Sequence, residues 1–136
     1  MSKSIIQSVS LGLIIYKTSI LSYKVIDKTS NKTFFRLIGG HIEFGEKSKD
    51  ALKREFKEEI DENIVNVRLL EVFENLFFYK GEKQHEFVSL FKCDFLNDKM
   101  YDKKEIIGHE EPDRVFIASW VPVDEFKNNK KNIISS

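Results

Sequence analysis

Three carboxylates, Glu55, Glu58 and Glu59, stand three and four residues apart in a segment where Leu52, Phe56 and Ile60 recur every fourth residue. At 3.6 residues per turn such a segment is an amphipathic helix that projects the three glutamates together, beside an apolar stripe. Like charges at this spacing cost an isolated helix about 0.2–0.5 kcal/mol per pair, and more where neighbouring apolar groups strip their water. A hard divalent cation would answer that repulsion. Mg²⁺ takes oxygen ligands and is commonly held by one or two carboxylates while keeping waters and substrate phosphates, and Ala51 on the same face leaves it room. The alternative is an acidic helix face turned to water.

Just before the helix runs Gly39-Gly40-His41-Ile42-Glu43-Phe44-Gly45-Glu46, behind a strand-like Thr33 to Ile38. A glycine pair lets backbone approach the carboxylates closely, an arrangement suited to a metal–phosphate complex, although by itself such a pair marks only a turn. Arg36 could reach phosphate oxygens or sit in a surface ion pair, and His41 could assist phosphate binding or be structural. Phe77, Phe78, Tyr79 and Trp120 are candidates for stacking a base, with burial in the core as the other reading. Cys93 reads as a buried strand residue.

Gly40, Glu46, Arg54, Glu55, Phe56, Glu58 and Glu59 fall in register on the pattern G-x5-E-x7-R-E-U-x-E-E-x-G-U, with U apolar, and so the segment resembles the Nudix box of the Nudix (MutT-like) hydrolases. The likeness extends to Phe34-Phe35-Arg36-Leu37 before the box, to Glu74-Asn75-Leu76-Phe77 with His85-Glu86, and to Trp120 through Phe126. It implies a Mg²⁺-dependent (or Mn²⁺-dependent) hydrolase that cleaves the pyrophosphate bond of a nucleoside diphosphate linked to another moiety. The expected substrate is a nucleoside triphosphate or related small nucleotide. ADP-ribose, nucleotide sugars and dinucleoside polyphosphates are the alternatives, as is a Nudix-fold module that binds nucleotide without cleaving it. On this resemblance Glu55, Glu58, Glu59 and the carbonyl of Gly39 hold the metal, Arg54 and Glu46 position the carboxylates, and Arg36, Gly40 and His41 face the substrate. Glu105, Glu110 and Glu111 are candidates for a further acid. The box departs from the pattern at its end, where Asp61 replaces the glycine and Glu62 the apolar residue. Asp61 or Asn63 can end the helix in a left-handed conformation, and Ile64 can supply the apolar contact.

The elements that must position these groups follow from pattern. Val9 to Tyr16 and Ile20 to Ile26 read as a hairpin, Thr33 to Ile38 as a third strand, and Ser48 to Ile60 as the helix. Ile64 to Tyr79 and Glu86 to Phe95 form a long hairpin around Gly81. Asn97 to Asp113 reads as a functional loop, Arg114 to Val121 as the last strand, and a short helix begins near Pro122, with a frayed end from Asn128. The fold class is α+β, an α/β/α sandwich of mixed sheet flanked by helices, in one domain spanning 1–136.

Composition sets the outer limits. With 22 basic and 22 acidic residues, the formal net charge of +0 gives no global field for nucleic acid or an acidic membrane, so RNA is disfavoured as a partner. A single cysteine cannot form an internal disulfide, which fits a reducing cytoplasm, and no apolar run approaches the roughly 20 residues of a membrane span. The 12 Phe could fill a monomer core or leave some for a homodimer interface.

Overall fold

The structure, a computed structural model, describes residues 4–110, 112–128 and 132–133. Its strands are divided between two sheets. Strand β1 (Ile6–Leu13) belongs to the first sheet, β2 (Ile15–Tyr16) to the second, and Ile14 between them is fully buried, its carbonyl accepting from the Leu21 N–H at 3.1 Å. The expected hairpin of Val9 to Tyr16 with Ile20 to Ile26 is therefore corrected: only β2 pairs with β3 (Ser19–Asp27). A run that is apolar on both sides has no period that marks where it changes sheets.

The same division recurs at Leu37. Strand β4 (Lys32–Arg36) lies beside β3 in the second sheet, whereas β5 (Ile38–His41) lies antiparallel to β1 in the first. Gly39 and Gly40, expected beyond a strand, are inside β5, opposite Leu11 and Ser10. Close approach explains them: a Cβ on Gly39 would run into the backbone of Ser10 and Leu11, and one on Gly40 would stand 2.6 Å from the Glu55 carboxylate.

Helix α1 (Ser48–Ile60) follows the expected bounds. Its Leu52, Phe56 and Ile60 enter one core with Ile38, Phe91, Cys93 and Phe95 of the first sheet and Leu21, Tyr23, Phe116 and Ala118 of the second. The helix thus fills the wedge between the sheets. It ends at Asp61, which takes the left-handed conformation (φ 55, ψ 41) and returns its N–H to the Lys57 carbonyl at 3.0 Å. Ile64 is buried in the same core, supplying the contact that Glu62 cannot. Because left-handed backbone strains any residue with a Cβ, Asp61→Gly should raise unfolding free energy by about 0.5–1 kcal/mol, and Asp61→Val should lower it, in urea titrations.

Strands β6 (Ile64–Tyr79) and β7 (Glu82–Phe95) form the long hairpin, β7 starting four residues earlier than expected and running parallel to β1. The hairpin tip is anchored by Asp27, a buried carboxylate that accepts from the N–H groups of Thr29 (3.0 Å) and Lys80 (3.2 Å) and from the Ser30 hydroxyl (3.1 Å). Burial would raise its pKa, but these donors outweigh it and hold the carboxyl below its ordinary value.

The expected loop from Asn97 to Asp113 is largely ordered as a 3₁₀ turn (Asp98–Asp102) and a strand, β8 (Glu105–Glu110), paired with β9 (Arg114–Pro122). Polar residues hid β8 because one side of it is solvated. Gly108 faces Phe116 so closely that a Cβ would enter the ring. Helix α2 (Val123–Asn128) sets Phe126 edge-on to Phe35, with ring centroids 5.2 Å apart. Of the end expected to fray, Asn132–Ile133 (β10) lies parallel to β4, and 129–131 and 134–136 fall outside the described residues. No described helix is long and apolar enough to cross a membrane.

Candidate active site

Strand β5, the outer face of α1, the end of β8 and the tip of the β6–β7 hairpin enclose a cleft of about 920 Å³, within the range of small-molecule sites. Arg54 organises one wall. Its Nε and Nη2 donate to the two oxygens of Glu46 at 2.7 and 3.0 Å, Nη1 donates to Glu55 (3.0 Å) and Glu58 (2.9 Å), and Nη2 also reaches the His41 carbonyl at 3.0 Å. Such a fork matches a carboxylate in plane and orders it strongly. The Arg54 guanidinium and the Glu43 N–H hold the Glu46 carboxyl down at about 2.

Glu59 is the opposite case. It is only 7% exposed, and its Oε1 has no hydrogen-bond partner among the described residues. Burial first, then its contact with Glu55 and the charges of Glu110 and Glu58, push its carboxyl far above the usual range. The expected cluster is thus brought together in part: Glu55 and Glu59 touch, whereas the Glu58 side chain turns outward to Arg54 and is 56% exposed. Among the described residues no three His, Cys, Asp or Glu side chains are already grouped about one point as metal ligands. Glu55 and Glu59, with Glu58 from the cleft rim, are nevertheless the carboxylates that could hold a cation, with Glu110 as an electrostatic neighbour. An unmet buried oxygen within a repelling carboxylate group is the donor set that a hard divalent ion fits.

Of the three later acids, Glu110 lines the cleft and accepts from the Tyr23 hydroxyl at 3.4 Å. Glu105 lies at the far end of β8 opposite Ser119, and Glu111 falls outside the described residues. Gly39, Gly40 and His41 all line the cleft. Arg36, for which a surface ion pair was an open reading, is 5% exposed at the cleft, with its guanidinium 4.7 Å from the Tyr79 ring centroid and its Nε unpartnered among the described residues. Phe77 and Tyr79 line the cleft, Phe78 is exposed on the other face of β6, and Trp120 lies elsewhere. Gln7 and Gln84 also line it and were not expected. They arrive there by strand pairing, Gln7 beside Glu86 and Gln84 opposite Phe77, which no local pattern signals.

Behind this wall Glu86 is 1% exposed, and burial raises its carboxyl to about 7 although the Arg36 charge pulls it back. The native state therefore binds this proton more tightly than the unfolded chain does, so its contribution to stability falls as pH rises from about 4.5 to 7. Fully shielded, the loss would be about 3 kcal/mol, and screening reduces it to about 1–2 kcal/mol. Glu86→Gln should gain on the wild type by that amount between pH 4.5 and 8 in denaturant titrations.

Mixed sheets braced by a helix whose carboxylates and arginine line a small-molecule cleft define the class of the fold, α+β with an acidic cleft at the helix. A model of the NUDIX domain matches residues 8–135, and the chain belongs to that family as a Nudix hydrolase of the pyrophosphohydrolase class. Solved structures with the same fold include a MutT NUDIX hydrolase from Burkholderia pseudomallei (TM-score 0.60, 21% identity, 89% of this chain and 86% of that one). A NUDIX hydrolase from Nitrosomonas europaea (0.59, 17%, 91% and 77%) and a NUDIX-family hydrolase from Clostridium perfringens (0.58, 18%, 94% and 88%) are similar in the same way.

Proposed function

We propose that the protein is a Mg²⁺-dependent hydrolase of the pyrophosphate bond in a nucleoside diphosphate linked to another moiety, with a nucleoside triphosphate or related small nucleotide as substrate. The observation that carries this reading is Glu59, a buried carboxylate with an unmet oxygen, packed against Glu55 beside a cleft that also presents arginine and aromatic rings. Glu55, Glu58, Glu59 and the Gly39 carbonyl would hold the ion, Mg²⁺ or Mn²⁺. When bound, it supplies neutralisation of phosphate charge and acidification of a coordinated water.

The chain's own groups do the rest. Arg54 holds Glu55 and Glu58 in fixed orientation, and Glu46 in turn fixes Arg54 by two parallel hydrogen bonds. One cleft carboxylate takes the proton of the attacking water, a role for which Glu110 joins the box glutamates as a candidate. Gly40 keeps β5 low enough for backbone and His41 to meet phosphate oxygens. Arg36 offers a guanidinium to a phosphate or base edge, and Phe77 and Tyr79 offer ring faces for stacking. The single buried cysteine accords with a cytoplasmic setting.

The test is product release from nucleoside triphosphates, nucleotide sugars, ADP-ribose and dinucleoside polyphosphates, with Mg²⁺, with chelator, and with Glu58→Gln. Turnover that is selective, metal-dependent and lost in Glu58→Gln is expected. Binding without turnover, unchanged in that variant, would make the protein a nucleotide-binding module instead.

A further inference from the structure

Away from the cleft, at the other end of the second sheet, three aromatic side chains from separate elements meet. Tyr16 ends β2, Tyr101 sits in the 3₁₀ turn and Trp120 is on β9, with ring centroids 5.0 Å (Tyr16 to Tyr101), 5.8 Å (Tyr16 to Trp120) and 5.6 Å (Tyr101 to Trp120) apart. They line a cavity of about 390 Å³. Trp120 lies six residues along β9 from Arg114, which lines the cleft, so the two sites are about 20 Å apart at strand rise. The cavity is no extension of the first site.

Its chemistry is double. The rings are only partly buried, and Tyr101 and Trp120 stack with planes 24° apart, each holding the other in place. Tyr101 is fixed from behind, its hydroxyl accepting from the Phe95 N–H at 2.8 Å. Trp120 Nε1 is buried with no hydrogen-bond partner among the described residues, an unmet donor in a residue that lines the cavity. At the rim stand Lys17, Lys103 and Lys104, all exposed, with Asp102 as the one acid lining it. Lys17 takes a left-handed backbone conformation (φ 57), which glycine or asparagine would adopt with less strain, and its Nζ lies 5.3 Å from the Tyr16 ring centroid. In a chain of zero net charge, this clustering of cations beside stacking surface is local and specific.

We propose that this cavity is a second ligand site that takes a mononucleotide, its base against the aromatic cluster of Tyr16, Tyr101 and Trp120 and its phosphate among Lys17, Lys103 and Lys104. Stacking supplies contact that tolerates different bases, and the lysines supply salt-sensitive attraction to the phosphate. A free nucleoside has only the first half of this chemistry, and ribose 5-phosphate only the second.

The chain has one tryptophan, so intrinsic tryptophan fluorescence reports on this site alone. The experiment is titration of the protein, in chelator, with AMP, GMP, CMP and UMP and with the four matching nucleosides, none of which contains a pyrophosphate bond. Its result is therefore independent of whether the cleft hydrolyses anything. Saturable change with at least one nucleotide is expected, weaker by about tenfold or more in about 0.5 M salt and in the triple variant Lys17→Ala, Lys103→Ala, Lys104→Ala. These lysines are on the surface, so the variant should fold, and the salt arm needs no variant at all. Glu58→Gln should bind as the wild type does. No saturable change with any of the four, equal affinity for the nucleoside and its phosphate, or undiminished affinity in the triple variant would each overturn the proposal.

Discussion

Glu59→Gln is expected to be more stable than the wild type by about 1–3 kcal/mol and less active by about 10²–10⁴-fold. The two effects have one origin. A carboxyl that burial and the neighbouring Glu55, Glu110 and Glu58 push far above its ordinary range must take up a proton on folding near neutral pH, and its Oε1 still lacks a partner among the described residues, so it costs the fold. The neutral amide keeps the shape, can donate to Glu55 and needs no proton on folding, but it is a poor ligand for a hard cation. Urea unfolding in chelator reads the first effect, and nucleotide turnover with Mg²⁺ reads the second. A variant less stable than the wild type would show that Glu59 is satisfied in place. Undiminished turnover would remove it from the site.

Arg54→Lys is expected to lose about 2–3 kcal/mol of stability and most of the activity, despite keeping the charge. Lysine can meet one of the partners at a time, whereas the guanidinium serves Glu46, Glu55, Glu58 and the His41 carbonyl together. Removing it leaves carboxylates facing one another across partly buried space. The Glu46 carboxyl, held at about 2 by Arg54, contributes stability that is present above its ordinary 4.5 and lost as pH falls toward 2. The variant should therefore unfold at higher pH than the wild type in an acid titration followed by circular dichroism. Equal acid midpoints would contradict the coupling.

Much of this site was legible because one helix carries it. Periodicity gave α1 its bounds, and the fixed spacing of Arg54, Glu55, Glu58 and Glu59 placed them on one turn and a half of it. Asp61 was readable for a similar reason, since a left-handed cap is a local event. What stayed hidden depends on contacts between distant segments. Nothing local marks Ile14 and Leu37 as the points where the chain changes sheets, since each is one buried apolar residue beside others of the same kind. Glu110 looked no different from Glu105 until β8 paired with β9 and set one at the cleft and the other at the far end. Gln7 and Gln84 became cleft residues through register alone.

Strand β5 is the edge of the first sheet, and its two glycines present main chain, with no side chain, to the cleft. No substitution deletes a main-chain carbonyl or amide. In a saturation scan, Gly39 and Gly40 will therefore behave unlike the carboxylates around them: every replacement will fail according to its bulk, with alanine already too large at Gly39, where its Cβ meets the backbone of Ser10 and Leu11, and none according to its charge or hydrogen-bonding capacity. The glutamates will show the reverse, with defects graded by chemistry at nearly constant volume. Part of the cleft wall is thus out of reach of side-chain genetics, and atom-level replacement of the backbone itself, amide to ester, is the means of addressing it.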